Sequence, residues 1–209
     1  MKAQGLALVL AELSTALALP SKAPASEPRM ALREVTNADG HTIQLAVRDS
    51  LVENAGVSKR QITFPSTSFD GNYCGDSSFS ATNDDKANGG NIDDCNNLVS
   101  GLRGIKEHWE LNNGFGGAAA SWIQLAAIGT CHFYINRNGF PDATTDGIVL
   151  IGTSDVADLV QTATERFTQW GEITFPGGSQ QIGWVNPSSG NMECDYHQDV
   201  PWRIQRNNP

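Results

Sequence analysis

Long apolar runs are scarce in this 209-residue chain. Beyond the first eighteen residues, no stretch reaches the ~18 apolar residues that a bilayer-crossing helix requires. Basic residues are few as well, 14 Lys and Arg against 23 Asp and Glu, for a formal charge of −9. A surface of that sign repels nucleic-acid phosphates and anionic lipid, so neither nucleic acid nor a membrane is an expected partner. The chain has no His-Glu-x-x-His, no Gly-x-Ser-x-Gly, no phosphate loop and no metal-ligand spacing. No catalytic residue, cofactor or metal is therefore assigned. Glycan acceptors are missing too, because Asn186 is followed by Pro187 and Asn72-Tyr73-Cys74 is only the rare cysteine variant. The four cysteines contain no Cys-x-x-Cys, which argues against a zinc ribbon or a thioredoxin-like redox pair.

The chain does have the order of a maturing exported protein. Lys2 precedes the apolar runs Gly5–Ala11 and Leu13–Ala18, which end in the small-x-small signal Ala16-Leu17-Ala18. Residues 1–18 thus read as a signal peptide cut after Ala18, despite Glu12 in its apolar part. Residues 19–60 read as a pro-segment or disordered linker, because Ser21–Arg29 is polar and proline-bearing. Within it, residues 41–55 have enough apolar content for one strand or short helix. The pair Lys59-Arg60 closes this stretch and suits a dibasic-specific processing protease of the secretory pathway. The expected mature domain is Gln61–Pro209, secreted and extracellular.

That span of 149 residues is one domain by length, and it holds 7 basic against 17 acidic residues. It can bury roughly 70% of its unfolded surface, so disulfides would reinforce a real core rather than replace one. Cys74, Cys95, Cys131 and Cys194 all fall within it, and an even count in an exported chain implies bridges. Four cysteines allow three pairings. Sequential pairing, Cys74–Cys95 and Cys131–Cys194, is the preferred expectation.

Periodicity predicts two helices. Ile92, Cys95, Leu98, Val99, Leu102, Ile105 and Trp109 form one stripe, with Asn91 as cap and Asp93-Asp94 in the first turn. Val156, Leu159, Val160, Ala163, Phe167 and Trp170 form the second, opened by Thr153-Ser154-Asp155 and closed by Gly171. Strands are predicted at Trp122–Ala127, Cys131–Asn136 and Ile148–Ile151. Gln181–Asn186 and Asn191–Tyr196 flank Pro187-Ser188-Ser189-Gly190 and read as a hairpin. Few helices among many strands predict an α+β fold, an antiparallel sheet with both helices on one face.

Single residues add little chemistry. Asp155 and Asp158, three apart at a helix start, are compatible with a carboxylate pair, but capping is the favoured reading. His132, His108 and His197 lack identified partners, and Ser77-Ser78 read as turn hydrogen bonders. Trp184 and Trp202 remain open as a binding surface, whereas Trp170 completes the second helical stripe and is assigned to the core.

Several motifs together resemble a known family. Asn72-Tyr73-Cys74-Gly75-Asp76-Ser77-Ser78-Phe79 is similar to the Cys-Gly-x-Ser-Ser/Thr-Phe opening of the fungal necrosis-inducing-factor domain, the homologues of the secreted extracellular protein 2 effector. Asp94-Cys95, Trp109, the run Leu125–Phe133, the run Ile151–Leu159 and Met192-Glu193-Cys194 follow the same order over about residues 72–196. The Gly/Ala-rich insertion at Asn112–Ala120 departs from it. The resemblance implies a secreted fungal protein, typically an effector that can provoke host cell death, with an α+β fold similar to small killer toxins; the expected action is binding of a host or competitor target. It carries over no active-site residues. A small secreted hydrolase and a membrane-active toxin remain alternatives.

Overall fold

The computed structural model describes residues 30–36, 40, 42–48, 72–82, 85–111, 122–138, 140, 148–194 and 198–206. Ala18, Lys59, Arg60, the Asn112–Ala120 insertion and His197 lie outside these residues. Thirteen strands and two helices are present among the described residues. The strands pair antiparallel throughout.

The largest sheet has the order β1 (Met30–Thr36), β2 (Thr42–Arg48), β7 (Trp122–Ile128), β8 (Cys131–Asn136), β13 (Gln198–Gln205), β12 (Ser188–Cys194) and β3 (Cys74–Ser77). The two-residue strand β4 (Ser80–Ala81) also pairs with β12. A second sheet joins β10 (Thr168–Phe175), β11 (Gly178–Val185) and the short β5 (Gly90–Asn91), while β6 (His108–Leu111) and β9 (Val149–Gly152) form a third. The α+β class and antiparallel pairing are as expected, but the strands are shared among three sheets rather than one.

Helix α1 (Ile92–Arg103) starts where the sequence indicates: Asn91 is extended, and its side-chain oxygen accepts the Asp93 N–H at 2.7 Å. Cys95, Leu98, Val99 and Leu102 are buried on its inner face, toward β7, β8 and β2. The helix stops at Gly104, five residues before the expected end of the stripe at Trp109. Ile105 turns back to bond Leu102, and Lys106 has φ 53°, which breaks the helical course. Trp109 still reaches the core, 2% exposed, but from β6 opposite Ile151.

Helix α2 (Thr153–Phe167) packs on α1 and against β9, β10 and β11. It too ends early. Thr168 is extended, and Thr168–Phe175 pairs with β11 instead of continuing the helix. Trp170 therefore leaves the predicted stripe and stands 60% exposed on β10. The predicted hairpin around Pro187 is absent as well. Strand β11 belongs to the second sheet and β12 to the first, so the chain changes sheets at Asn186-Pro187, where the Asn186 N–H bonds the Phe167 carbonyl at 3.1 Å.

Both disulfides depart from sequential pairing. Cys74 bonds Cys194 across the paired strands β3 and β12, with Cα atoms 4.0 Å apart. Cys95 bonds Cys131, tying α1 to the start of β8 with Cα atoms 5.1 Å apart. Proximity along the chain did not decide the partners; the return of β12 beside β3 did. Closing spans of 120 and 36 residues removes chain entropy worth about 5 and about 4 kcal/mol.

Residues 19–60 are not wholly a disordered linker. Within them β1 and β2 form a seven-pair hairpin, and Ile43, Leu45 and Ala46 lie in the core at 1%, 1% and 2% exposure.

Candidate functional site

Where β3 meets the start of α2, backbone geometry builds a small acidic pocket. Asp155 is the third residue of α2, a position at which a carboxylate can serve the unpaired N–H groups of the first turn. Its Oδ2 accepts the Gly152 N–H at 2.7 Å and the Tyr73 N–H at 2.8 Å. In the amide orientation that satisfies both groups, Asn72 donates to Oδ1. Burial raises the Asp155 pKa to about 6, against the lowering effect of backbone N–H bonds from Tyr73, Gly152 and Cys74, with the Asp158 charge adding to the rise.

A cavity of about 300 Å³ opens beside this carboxylate. Asp76, Ser77, Phe79, Asp158 and Met192 contribute to its wall, as does Cys74 of the first disulfide. Asp158 is exposed and pairs with Arg103 of α1 at 2.8 Å. The two aspartates thus line one cavity with different tasks, one clamping the entry to α2 and the other bridging the helices. The pocket offers acceptors to a cationic or hydroxyl-bearing group.

The remaining chemical candidates are engaged in local bonds. His132 Nε2 meets the Gly129 carbonyl at 3.0 Å, which makes it the N–H donor, and its Nδ1 meets the Tyr134 hydroxyl at 3.1 Å. His108 is buried beside the Tyr73 hydroxyl, 3.3 Å away. Ser77 Oγ bonds Gly75 O, and Ser78 Oγ accepts the Asn191 N–H at 2.9 Å. Both serines therefore stabilise the β3 turn region. Among the described residues, no group of three or more His, Cys, Asp or Glu is arranged to hold a metal. Sequence reasoning missed Glu107, whose pKa burial raises to about 7. It sits between α1 and β6 with its backbone bonded to Thr153, and no motif marks it.

The two tryptophans singled out as a binding surface part company. Trp202 is fully buried, stacked on Phe133 at 6.2 Å and met edge-on by Phe79 at 5.1 Å. It is a core residue and is withdrawn from the binding surface. Trp184 is half-buried, with Lys86 Nζ 5.1 Å over its ring and its indole N–H donated to Asn186 Oδ1 at 3.1 Å. The solvent-facing aromatics of this ribbon are instead Trp170 and Phe175, 60% and 51% exposed on β10. Strand β10 pairs on one side only, with β11, and β11 meets β5 only at Val185 and Trp184. The distal half of the ribbon therefore projects from the domain.

Two long-range disulfides cross-link an acidic α+β domain with a projecting aromatic ribbon, an arrangement that fits a secreted protein. The Hce2 family model ("Pathogen effector; putative necrosis-inducing factor") matches residues 73–194, from the residue before the first cysteine to the last cysteine. The chain belongs to this family of pathogen effectors. No curated protein matches it. Among the described residues, no helix is long and apolar enough to cross a membrane.

Proposed function

We propose that the protein is a secreted effector that acts by binding a host or competitor component, not by catalysis, and that the projecting β10–β11 ribbon makes the contact, with Trp170 and Phe175 on its two opposite faces. Secretion would remove residues 1–18, and scission after Lys59-Arg60 would free Gln61 as a new N-terminus. Family membership and two disulfides support the extracellular setting. The carrying observation is the exposure of Trp170 and Phe175 on a ribbon that projects from the domain. Large aromatics on a rigid strand are the side chains that most often anchor interfaces. A likeness to small killer-toxin sandwiches belongs to the same reading, that of a compact cross-linked binder.

The test is capture from host extracellular fluid and from competing fungi with the secreted protein, alongside leaf infiltration with a reduced control. Trp170→Ala with Phe175→Ala is expected to keep the fold and lose both capture and necrosis. Unchanged capture by that double variant would refute the assignment of the ribbon.

A hydrolase is the second reading, favoured by one observation: Asp155 combines a pKa near 6 with a cavity wall. Glycan and RNA substrate panels test it. Turnover abolished by Asp155→Asn in a folded protein would support it over the binding reading.

A further inference from the structure

The family match begins at residue 73, yet the domain's core includes side chains from β2, which ends at Arg48. Strand β2 alternates as a half-buried strand should, with Thr42 and Gln44 exposed and Ile43 and Leu45 buried. It covers one edge of β7 through the pairs Gln44↔Ala127 and Leu45↔Ala126, while β8 holds the other edge. Above it, α1 presents Gly101, where a Cβ would stand 2.5 Å from the Cγ2 methyl of Ile43. Glycine at this helical position provides the groove that Ile43 occupies. The buried indole of Trp109 donates to the Ala46 carbonyl at 3.3 Å. Strand edge, glycine groove and indole donor together form a slot shaped for one extended segment. Without the hairpin, that slot would expose apolar surface and leave a buried indole N–H without this acceptor.

We propose that the slot between β7 and α1 is a strand-binding site whose resident ligand is the chain's own Met30–Arg48 hairpin, held there as a separate peptide after scission at Lys59-Arg60. The mature protein is then two chains joined by strand addition, not a single chain starting at Gln61. Scission is hydrolysis of the Arg60–Gln61 peptide bond by a dibasic-specific protease, water supplying the new carboxylate and amine. The proposal rests on the processing reading only for the place of the cut.

The full chain is cut at Lys59-Arg60 in vitro, and in a parallel arm at a site-specific protease sequence inserted between Lys59 and Gln61. Both products are run by size exclusion with mass spectrometry, native and in denaturant. The hairpin fragment is expected to elute with Gln61–Pro209 under native conditions and to separate only in denaturant. A fragment that leaves natively, with a remainder of unchanged melting temperature, overturns the proposal. If only the inserted site is cut, the processing reading fails, while that arm still decides the slot. Gly101→Ala favours the helix but places a methyl against Ile43, so it should speed hairpin release at least tenfold. In an Ile43→Ala background, where release is already faster, the clash is gone and Gly101→Ala should no longer accelerate release. A release rate unaffected by Gly101→Ala also counts against the slot.

Discussion

The Asp155 carboxylate and the Tyr73 backbone N–H meet at 2.8 Å across 82 residues of sequence, joining the entry to β3 to the first turn of α2. One side chain thus serves a helix start and a strand start while lying next to the Cys74–Cys194 bridge. Removing it with Asp155→Ala leaves the Gly152 and Tyr73 N–H groups without this acceptor, at a cost of about 1–3 kcal/mol. Asp155→Asn keeps one oxygen and should cost less. Urea titrations of the two variants at pH 7 measure the difference.

The pH response follows from two raised carboxyl groups. Burial lifts Asp155 from 3.8 to about 6 and Glu107 from 4.5 to about 7. The folded state then binds protons more tightly than the unfolded chain, so stability falls as pH rises. This contribution is fully present below about pH 4 and is lost as pH passes through about 6 and then about 7. The urea midpoint should be higher at pH 5 than at pH 7.5. Asp155→Asn should flatten the lower part of that slope. A midpoint that climbs steadily with pH would contradict the assignment.

Peptide mapping without reductant should link Cys74 to Cys194 and Cys95 to Cys131. Replacing both members of either pair by Ala should cost about 2–5 kcal/mol. The melting temperature should show this in each double variant, and the Cys74/Cys194 variant should also loosen β3 in hydrogen exchange.

Gly129 turns β7 into β8 with φ +53°, and a Cβ there would run into the Asp94 carboxylate. That carboxylate accepts both the N–H and the hydroxyl of Thr130 at 2.8 Å, so it has little room to withdraw. Gly129→Ala should destabilise by about 1–3 kcal/mol, from backbone strain and the displaced Asp94 carboxylate. Denaturant unfolding of the single variant and of its Asp94→Ala double variant separates the two contributions, because the clash vanishes only in the latter.

Tryptophan substitutions should divide by burial. Trp202→Ala empties a fully buried site and should cost about 3–5 kcal/mol. Trp170→Ala, on the open ribbon, should change stability by about 1 kcal/mol or less and act on target capture instead. Equal losses of stability at the two positions would overturn the division.

Local chemistry was legible where it acts over a turn or a strand. The Asn91 cap, the inner face of α1 through Leu102, the strands at Trp122–Ala127 and Cys131–Asn136 and the membership carried by the cysteine-centred motifs all follow from residues near one another. Helix ends were less legible, because Trp109 and Trp170 continue a spacing of three and four by coincidence. Nothing in that spacing reveals that Lys106 takes a positive φ, or that Thr168–Phe175 finds a strand partner in β11. Composition allowed one strand or short helix within residues 41–55, but did not reveal that it pairs with β1 as a hairpin and enters the core.

Residue types alone determined that this is an acidic α+β domain with an even number of cysteines, since charge, periodicity and count need no partner to be read. Which cysteines join, which tryptophan is buried, and what covers β7 were decided by the tertiary structure alone. Those outcomes depend on strands that are distant in sequence coming to lie side by side, and burial there is settled by the neighbour that arrives.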